Sequence, residues 1–502
     1  MAFNLFGRFS LLFVLSTLGF LISFTNQIAI SYNFGTSKEL DSYLSLVSVA
    51  GIFLFYVSPL KDALIKAVFG AYANNKEAAS EVYSSGLIFQ SCLALVSIGL
   101  FIFSPISRLY HDTVKDVIEK SIIVSFVPYM LLLGLSEIAN SLLLSLNKLI
   151  YQSIARLISS TVGLLIILGL ASKFGIYALI IALQASQLIN LIVSFYGLFN
   201  EGVKFRFVLP TIIFKTKGIL SMFGALSFGY LLAQLYVFFD RFAMMRMSTG
   251  LLSSFQYGTT LVNVGISLIV HPIWNIIWPK FLNFELNEDW EGMIILGQKA
   301  LSIVVLVLFF GCSFVFINAS DIVTIIYYRG KFSANSIEMT AMALKATIFT
   351  AIPITIYGVL TRILMTIGEA RKLAFASFIM ALSGIFVISI SFWGEYKSLI
   401  VFHWLLSNIV GALVVFQMVR NKFINFCSNL RHLFFSAIKA LLIVIMSLYI
   451  LHQLNDILNF KLILISLLIK GALYFFMVLI LSYVFGLWSH LKLGSSANNF
   501  DK

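Results

Sequence analysis

Apolar runs long enough to cross a bilayer recur fourteen times between about Phe9 and His490, separated by short charged loops. A bilayer core about 30 Å thick takes about 20 residues of helix, and charge is nearly excluded from that depth. The pattern predicts an all-α polytopic membrane protein of about 14 transmembrane helices. Stretches such as 301–316 and 441–451 show no polar face on a helical period, as expected where lipid is the solvent. The first run continues past Gly19 to about Ile30 without a small-residue cleavage site, which reads as a spanning helix and not a signal peptide.

The pattern also repeats. Pro59 follows Tyr43 by sixteen residues, and Pro272 follows Tyr257 by fifteen, so the second and eighth helices look alike. Further on, "LLSLNKLIYQSIARLISSTVGLLI" is matched by "LMTIGEARKLAFASFIMALSGIFV", with Asn147 over Gly368 and Gly163 over Gly384 at one offset of 221. That offset covers six helices, an even number, so the copies run parallel in the membrane. The expected organisation is a six-helix lobe at 1–202, a second at 203–432, and an appended two-helix tail at 433–502. Transporters built this way bind substrate near mid-membrane and rock one half against the other.

Composition agrees: 60% of residues are hydrophobic and 11% charged, against about a quarter charged in a soluble domain. The net charge of +13 does not mark a nucleic-acid partner, because the basic residues are dispersed over many loops. With the amino terminus inside, nineteen Lys and Arg fall on the inner side and eleven on the outer. That bias places both termini in the cytoplasm. Three widely spaced cysteines form neither a disulfide framework nor a metal site, and no cofactor motif appears.

The few charged residues within or beside the runs are the candidate chemistry. Asp41 begins the second helix after "NFGTSKELD", where a carboxylate serves the helix amino terminus or, at a cavity mouth, gates it. Lys61, Asp62 and Lys66 follow Pro59; Asp62 and Lys66 can meet across one turn, as an interfacial ion pair or as part of a headgroup site. Glu137 lies well inside the fourth run, and is either a cation- or proton-coupling group or a carboxyl neutralised by a neighbouring helix, with Arg362 as the expected partner. Asp240 and Arg241 end the seventh run and read as a solvated cap or a periplasmic gate. Lys345 and Arg362 sit at different depths of a helix interrupted by Pro353. Either can meet a pyrophosphate, and Lys345 joins Glu137 as a candidate for ion coupling.

Several of these patterns resemble the MurJ/MviN family, the lipid II flippases of the multidrug/oligosaccharidyl-lipid/polysaccharide exporter superfamily. The likeness spans the chain: "FGTSKELDSY", "LLSLNKLIYQSIA", "YYRGKFSANSIEMTAMAL" and "YGVLTRILMTIGEARKLA". Arg329, Gly330 and Phe332 match the family's Arg-Gly-x-Phe turn, and Asp41 and Arg362 fall on its charged positions. The resemblance implies a fourteen-helix transporter of the bacterial inner membrane. Its substrate would be an undecaprenyl-pyrophosphate-linked sugar, with the lipid tail near the last two helices.

There are departures from the family pattern. Where it carries cavity arginines in the first, second and eighth helices, this chain has Asn26 and Gln27, Leu54 and Phe55, and Thr260. The resemblance therefore points to lipid II or to another lipid-linked glycan from a surface-polysaccharide pathway, held by Lys61, Lys66 or Arg362. A cation-coupled drug or metabolite exporter of the same superfamily is the alternative. A membrane glycan polymerase or ligase fits less well, because the outer loops are short and lack an acid, base or metal constellation. Membrane lipid, the membrane potential and a coupling cation complete the expected partners.

Overall fold

A computed structural model describes residues 2–74, 76–114, 121–146, 148–211, 213, 219–367, 369–423, 430–453 and 463–485. Among them the chain is helical, with no strand. The helices run α1 (Ala2–Phe34), α2 (Lys38–Phe53), α3 (Val57–Asn74), α4 (Lys76–Phe103), α5 (Pro105–Val114), α6 (Ser121–Ser125), α7 (Val127–Ser145), α8 (Leu149–Phe174), α9 (Ile176–Asn200) and α10 (Ile219–Met247). They continue as α11 (Leu251–Leu286), α12 (Trp290–Ile317), α13 (Ala319–Tyr327), α14 (Ala334–Thr347), α15 (Ala351–Thr366), α16 (Ala370–Trp393), α17 (Lys397–Ile400), α18 (His403–Lys422), α19 (Leu430–Gln453) and α20 (Ile463–Val484).

Among the described residues, nine segments are long and apolar enough to cross a membrane, and the bent pair α2–α3 makes a tenth. Helices α1, α10, α11 and α19 stand at the four other predicted positions. The long segments therefore follow the order expected from the apolar runs. Two of them are interrupted a few residues before a proline. Leu54–Tyr56, just before Pro59, separates α2 from α3, and the two axes meet at 51°. A 3₁₀ turn at Ile348–Thr350, just before Pro353, separates α14 from α15.

Packing divides the chain into two compact units, Met1–Ser253 with Arg329–Ser333, and Ser254–Tyr328 with Ala334–Lys502. The packing boundary thus lies beyond α10, which packs against α2 and α3 in the first unit. The expected lobe boundary at residue 203 follows the sequence repeat instead.

The core of the first unit sets Leu60, Ala63, Leu64 and Ala67 of α3 against Tyr83 and Leu87 of α4 and Ile138, Ala139 and Leu142 of α7. Small residues let these helices approach closely, and polar side chains add interhelical bonds where lipid offers none. Ser136 of α7 donates to Gln187 of α9 (2.9 Å), and Ser194 of α9 donates to Asn140 of α7 (2.9 Å).

The second unit has the same kind of core. Phe281 of α11, Met293 of α12, Leu360 and Ile363 of α15, Ala376 of α16 and Val415 of α18 pack together. The tail pair packs onto α12 in this unit: Ile443 and Val444 of α19 and Tyr474 of α20 meet Leu306 and Phe310. The Tyr474 hydroxyl donates to the Phe310 carbonyl at 3.1 Å. Lys439 of α19 donates to the Phe485 carbonyl at the end of α20 (3.1 Å), where a cation meets the negative end of the helix dipole.

Candidate functional site

The candidate residues that the structure describes in the first unit fall into three groups. The first is built on Asp41. Ser37 caps α2, its hydroxyl accepting from the Leu40 amide at 3.2 Å, so Asp41 is not needed there. Asp41 lies inside the first turn of α2, 1% exposed, and its two oxygens accept from Gly250 N (2.6 Å) and Ser253 N (2.7 Å). The carboxylate that was expected to cap its own helix caps the first turn of α11 instead. Two otherwise orphaned N–H groups are satisfied, and a negative charge sits at the positive end of a helix.

The turns around this carboxylate are tight. Gly250 has φ +83, and an added Cβ would lie 2.7 Å from the Thr36 carbonyl oxygen. Gly330, at φ +58, lies against the Tyr32 carbonyl, which also accepts from Lys331 N at 2.9 Å. Both positions need glycine because their backbone is left-handed and nothing larger than hydrogen fits. This explains the Gly of the Arg-Gly-x-Phe turn, whose Phe332 is 2% exposed.

The second group is Asp240 and Arg241. α10 continues to Met247, so these residues are within the helix and not at a solvated end as the sequence suggested. Asp240 is 7% exposed. Arg241 donates to the Leu44 carbonyl of α2 at 3.0 Å and has Asp240 and Tyr43 as electrostatic neighbours. Arg246 places its guanidinium 5.0 Å over the Phe242 ring.

The third group is Lys61 and Glu137. Lys61 Nζ lies 2.8 Å from Glu137 Oε2, joining α3 to α7. Glu137 was expected to be neutralised by Arg362; Lys61 does it instead, from 76 residues earlier in the chain. The break before Pro59 sets the direction of α3 and so aims Lys61. Asp62 faces both members of the pair, and Tyr230 of α10 faces Lys61 and Asp62. The side chain of Lys66 lies outside the described ones, so its expected pairing with Asp62 lies there too.

In the second unit, Arg362 of α15 is half-buried and donates to the Gly358 carbonyl of its own helix at 2.7 Å. Lys345, near the end of α14, is exposed. At the turn between α15 and α16, Glu369 takes Lys372 (3.1 Å) and Lys422 (3.6 Å). The hydrogen bond from Lys372, with the charge of Lys422, holds this carboxyl below its usual range.

Where the family arginines are missing, the substitutes are neutral. Asn26 donates to the Ser160 carbonyl (3.1 Å), Leu54 lies in the α2–α3 break, and Thr260 donates to the Gln256 carbonyl of its own helix (2.7 Å).

The family model described as "Lipid II flippase MurJ" matches residues 30–473 of this chain. The chain belongs to the MurJ family. A probable lipid II flippase MurJ of Borreliella burgdorferi is 21% identical over 381 residues, spanning 72% of this chain and 74% of that one. A probable lipid II flippase MurJ of Aquifex aeolicus is 23% identical over 375 residues, spanning 73% and 72%. Among solved structures, a lipid II flippase MurJ in an inward closed conformation superimposes with a TM-score of 0.75 at 18% identity, covering 96% of this chain and 99% of that one. An inward-facing multidrug transporter of the MATE family, from the MOP superfamily, gives 0.63 at 14% identity, covering 82% and 99%. The likenesses to solved structures establish the MurJ-like helical fold. MurJ proteins are transporters, so this chain is a multi-pass membrane transporter of that family.

Proposed function

We propose that this MurJ-family chain flips an undecaprenyl-pyrophosphate-linked sugar across the bacterial inner membrane by alternating access, with both termini in the cytoplasm. The family match over residues 30–473 carries this reading. In it, the repeats at 1–202 and 203–432 act as moving lobes and the pair at 433–502 lines the path of the lipid tail. Lys61 and Arg362 are the cations that meet the diphosphate, aided by Lys66. Lys345 acts in charge coupling, and Asp41, Asp240 and Arg241 gate the outer end of the first lobe. Moving each headgroup charge across the membrane potential involves about 2.3 kcal/mol per 100 mV, so transport responds to voltage.

The glycan is the finer question. A chain with Asn26, Leu54, Phe55 and Thr260 at the family's arginine positions holds a diphosphate with fewer cations. That favours a related surface-polysaccharide precursor alongside lipid II. Leaflet-resolved transport in proteoliposomes, comparing labelled lipid II with a short capsule-type lipid-linked oligosaccharide, tests the proposal. Movement of at least one, made faster by an imposed potential, is expected. Movement of neither, with export of a cationic drug instead, overturns it.

A further inference from the structure

The Lys61–Glu137 pair is built for exchange and not only for neutralisation. Both side chains keep access, at 33% and 27% exposure, although α3 and α7 are otherwise packed through their apolar faces. Glu137 lies eight residues from the end of α7, or about 12 Å along the helix axis. A carboxylate without a cation is costly at that depth. Asp62 adds a second negative charge within electrostatic reach, so Lys61, Asp62 and Glu137 together carry a formal charge of −1.

Among the described side chains, the titratable groups facing the pair are Asp62 on α3, Tyr129 on α7 and Tyr230 on α10. Lys66 stands one turn further along α3. The α9 residues bonded to α7 are neutral: Gln187, Asn190 and Ser194. On α4, the fully buried carboxamide of Gln90 lies against Gly134, one turn from Glu137, with neither of its polar atoms hydrogen-bonded.

We propose that Glu137 is the protonatable counter-ion of Lys61, and that it takes up one proton when a substrate phosphate captures the lysine. This rests on the reading that the substrate headgroup is a diphosphate. Without substrate, Glu137 occupies Lys61 as a built-in anion. A diphosphate oxygen is the same kind of acceptor with more charge, and it takes the ammonium. Glu137 then faces Asp62 without its cation, and a proton from the aqueous side adds to its carboxylate oxygen. One positive charge thereby enters the site with the anionic headgroup, and its release on the far side returns Glu137 to Lys61. Transport on this scheme responds to a proton gradient as well as to voltage.

The test uses the full-length protein in detergent with farnesyl diphosphate, a soluble prenyl diphosphate. Infrared difference spectra report the carbonyl stretch of a newly protonated carboxylic acid, and an indicator dye counts protons in weakly buffered solution. The wild type is expected to show the acid band and to take up about one proton per ligand bound. Glu137→Gln should bind at least as tightly and take up none, while Asp62→Asn should keep the band. A second measurement needs no variant: above neutral pH, affinity for the diphosphate should fall about tenfold per pH unit, because binding takes up a proton. Binding without proton uptake, a flat pH dependence, or a band lost only in Asp62→Asn overturns this inference and leaves the flippase reading standing. Failure of the wild type to bind the diphosphate at all overturns that reading and this one with it.

Discussion

The second and eighth long segments carry nearly the same tyrosine-to-proline spacing, and only the second breaks. Before Pro59 the helix opens over Leu54–Tyr56 and turns by 51°, whereas α11 runs unbroken from Leu251 to Leu286 through Pro272. At the break, the Phe53 carbonyl is taken by the Ser97 hydroxyl of α4 at 2.8 Å, and Val57 N turns back to the Leu54 carbonyl at 3.0 Å. Within a membrane a helix opens only where neighbours re-satisfy its backbone, so the proline marks where a bend is allowed and α4 makes it. The bend directs Lys61 to Glu137, which gives the first unit its intramembrane ion pair.

A second comparison runs the other way. Lys148 pairs with Glu201 at 2.8 Å in the first unit, and Glu369 pairs with Lys422 at 3.6 Å in the second. Both members of these pairs are related by the offset of 221, with the signs exchanged. The turn after the fourth segment and the end of the sixth therefore meet in the same way in each unit. The repeat preserves that geometry while the proline segments have diverged.

The largest effect is expected at the ion pair that the broken segment positions. Lys61→Met takes the cation from Glu137 and leaves it beside Asp62, to stay charged or to take up a proton, which should destabilise the protein by about 3 kcal/mol. Lys61→Met with Glu137→Met should recover most of it, and thermal unfolding in detergent reads both. Asp41→Ala should cost about 2 kcal/mol by uncapping α11 and leaving the Gly250 and Ser253 amides without acceptors. Faster hydrogen exchange confined to those amides checks it.

Ser97→Ala should cost about 1 kcal/mol. It should also loosen the break, seen as a changed bend between labels on α2 and α3, while Pro59→Ala leaves the bend in place. A bend that follows Pro59 and ignores Ser97 would reverse the lesson drawn from the two prolines.

The smallest effect belongs to the exchanged pair at the turn. Lys372 and Lys422 hold Glu369 below its usual carboxyl value of 4.5, so its contribution is fully present above that value. The contribution is lost as pH falls through the lower value in the folded protein. Glu369→Gln should flatten the stability profile below about pH 4.5 and lower stability evenly above it, by a small amount because the side chains of the pair are only partly buried.

The fold was legible because lipid-facing helices must be apolar over a fixed length, and runs such as 301–316 could be little else. Pro353 marked one interruption, and the offset of 221 marked the repeat. The site was less legible because its partners are tertiary. Nothing local to Glu137 points to Lys61, and nothing in "NFGTSKELD" shows that Ser37 takes the cap and frees Asp41 for α11. Asp240 and Arg241 looked like a helix end because charge ended an apolar run. The helix continues because Arg241 finds the Leu44 carbonyl inside the protein. Residues 329–333 pack with the first unit although they are flanked in sequence by the second, a closure that no periodicity reports.

The central claim is that Lys61, aimed by the break, is one of the cations that hold the headgroup diphosphate in place of the family's arginines. It is tested most directly by initial rates of leaflet-resolved flipping of a lipid-linked diphosphate sugar in proteoliposomes. Wild type, Lys61→Arg and the charge-neutral Lys61→Met with Glu137→Met would be compared at matched folding. The account predicts that Lys61→Arg retains transport and the double variant loses it at least about tenfold, roughly 1.4 kcal/mol of headgroup stabilisation. Equal rates in the double variant and the wild type would contradict it.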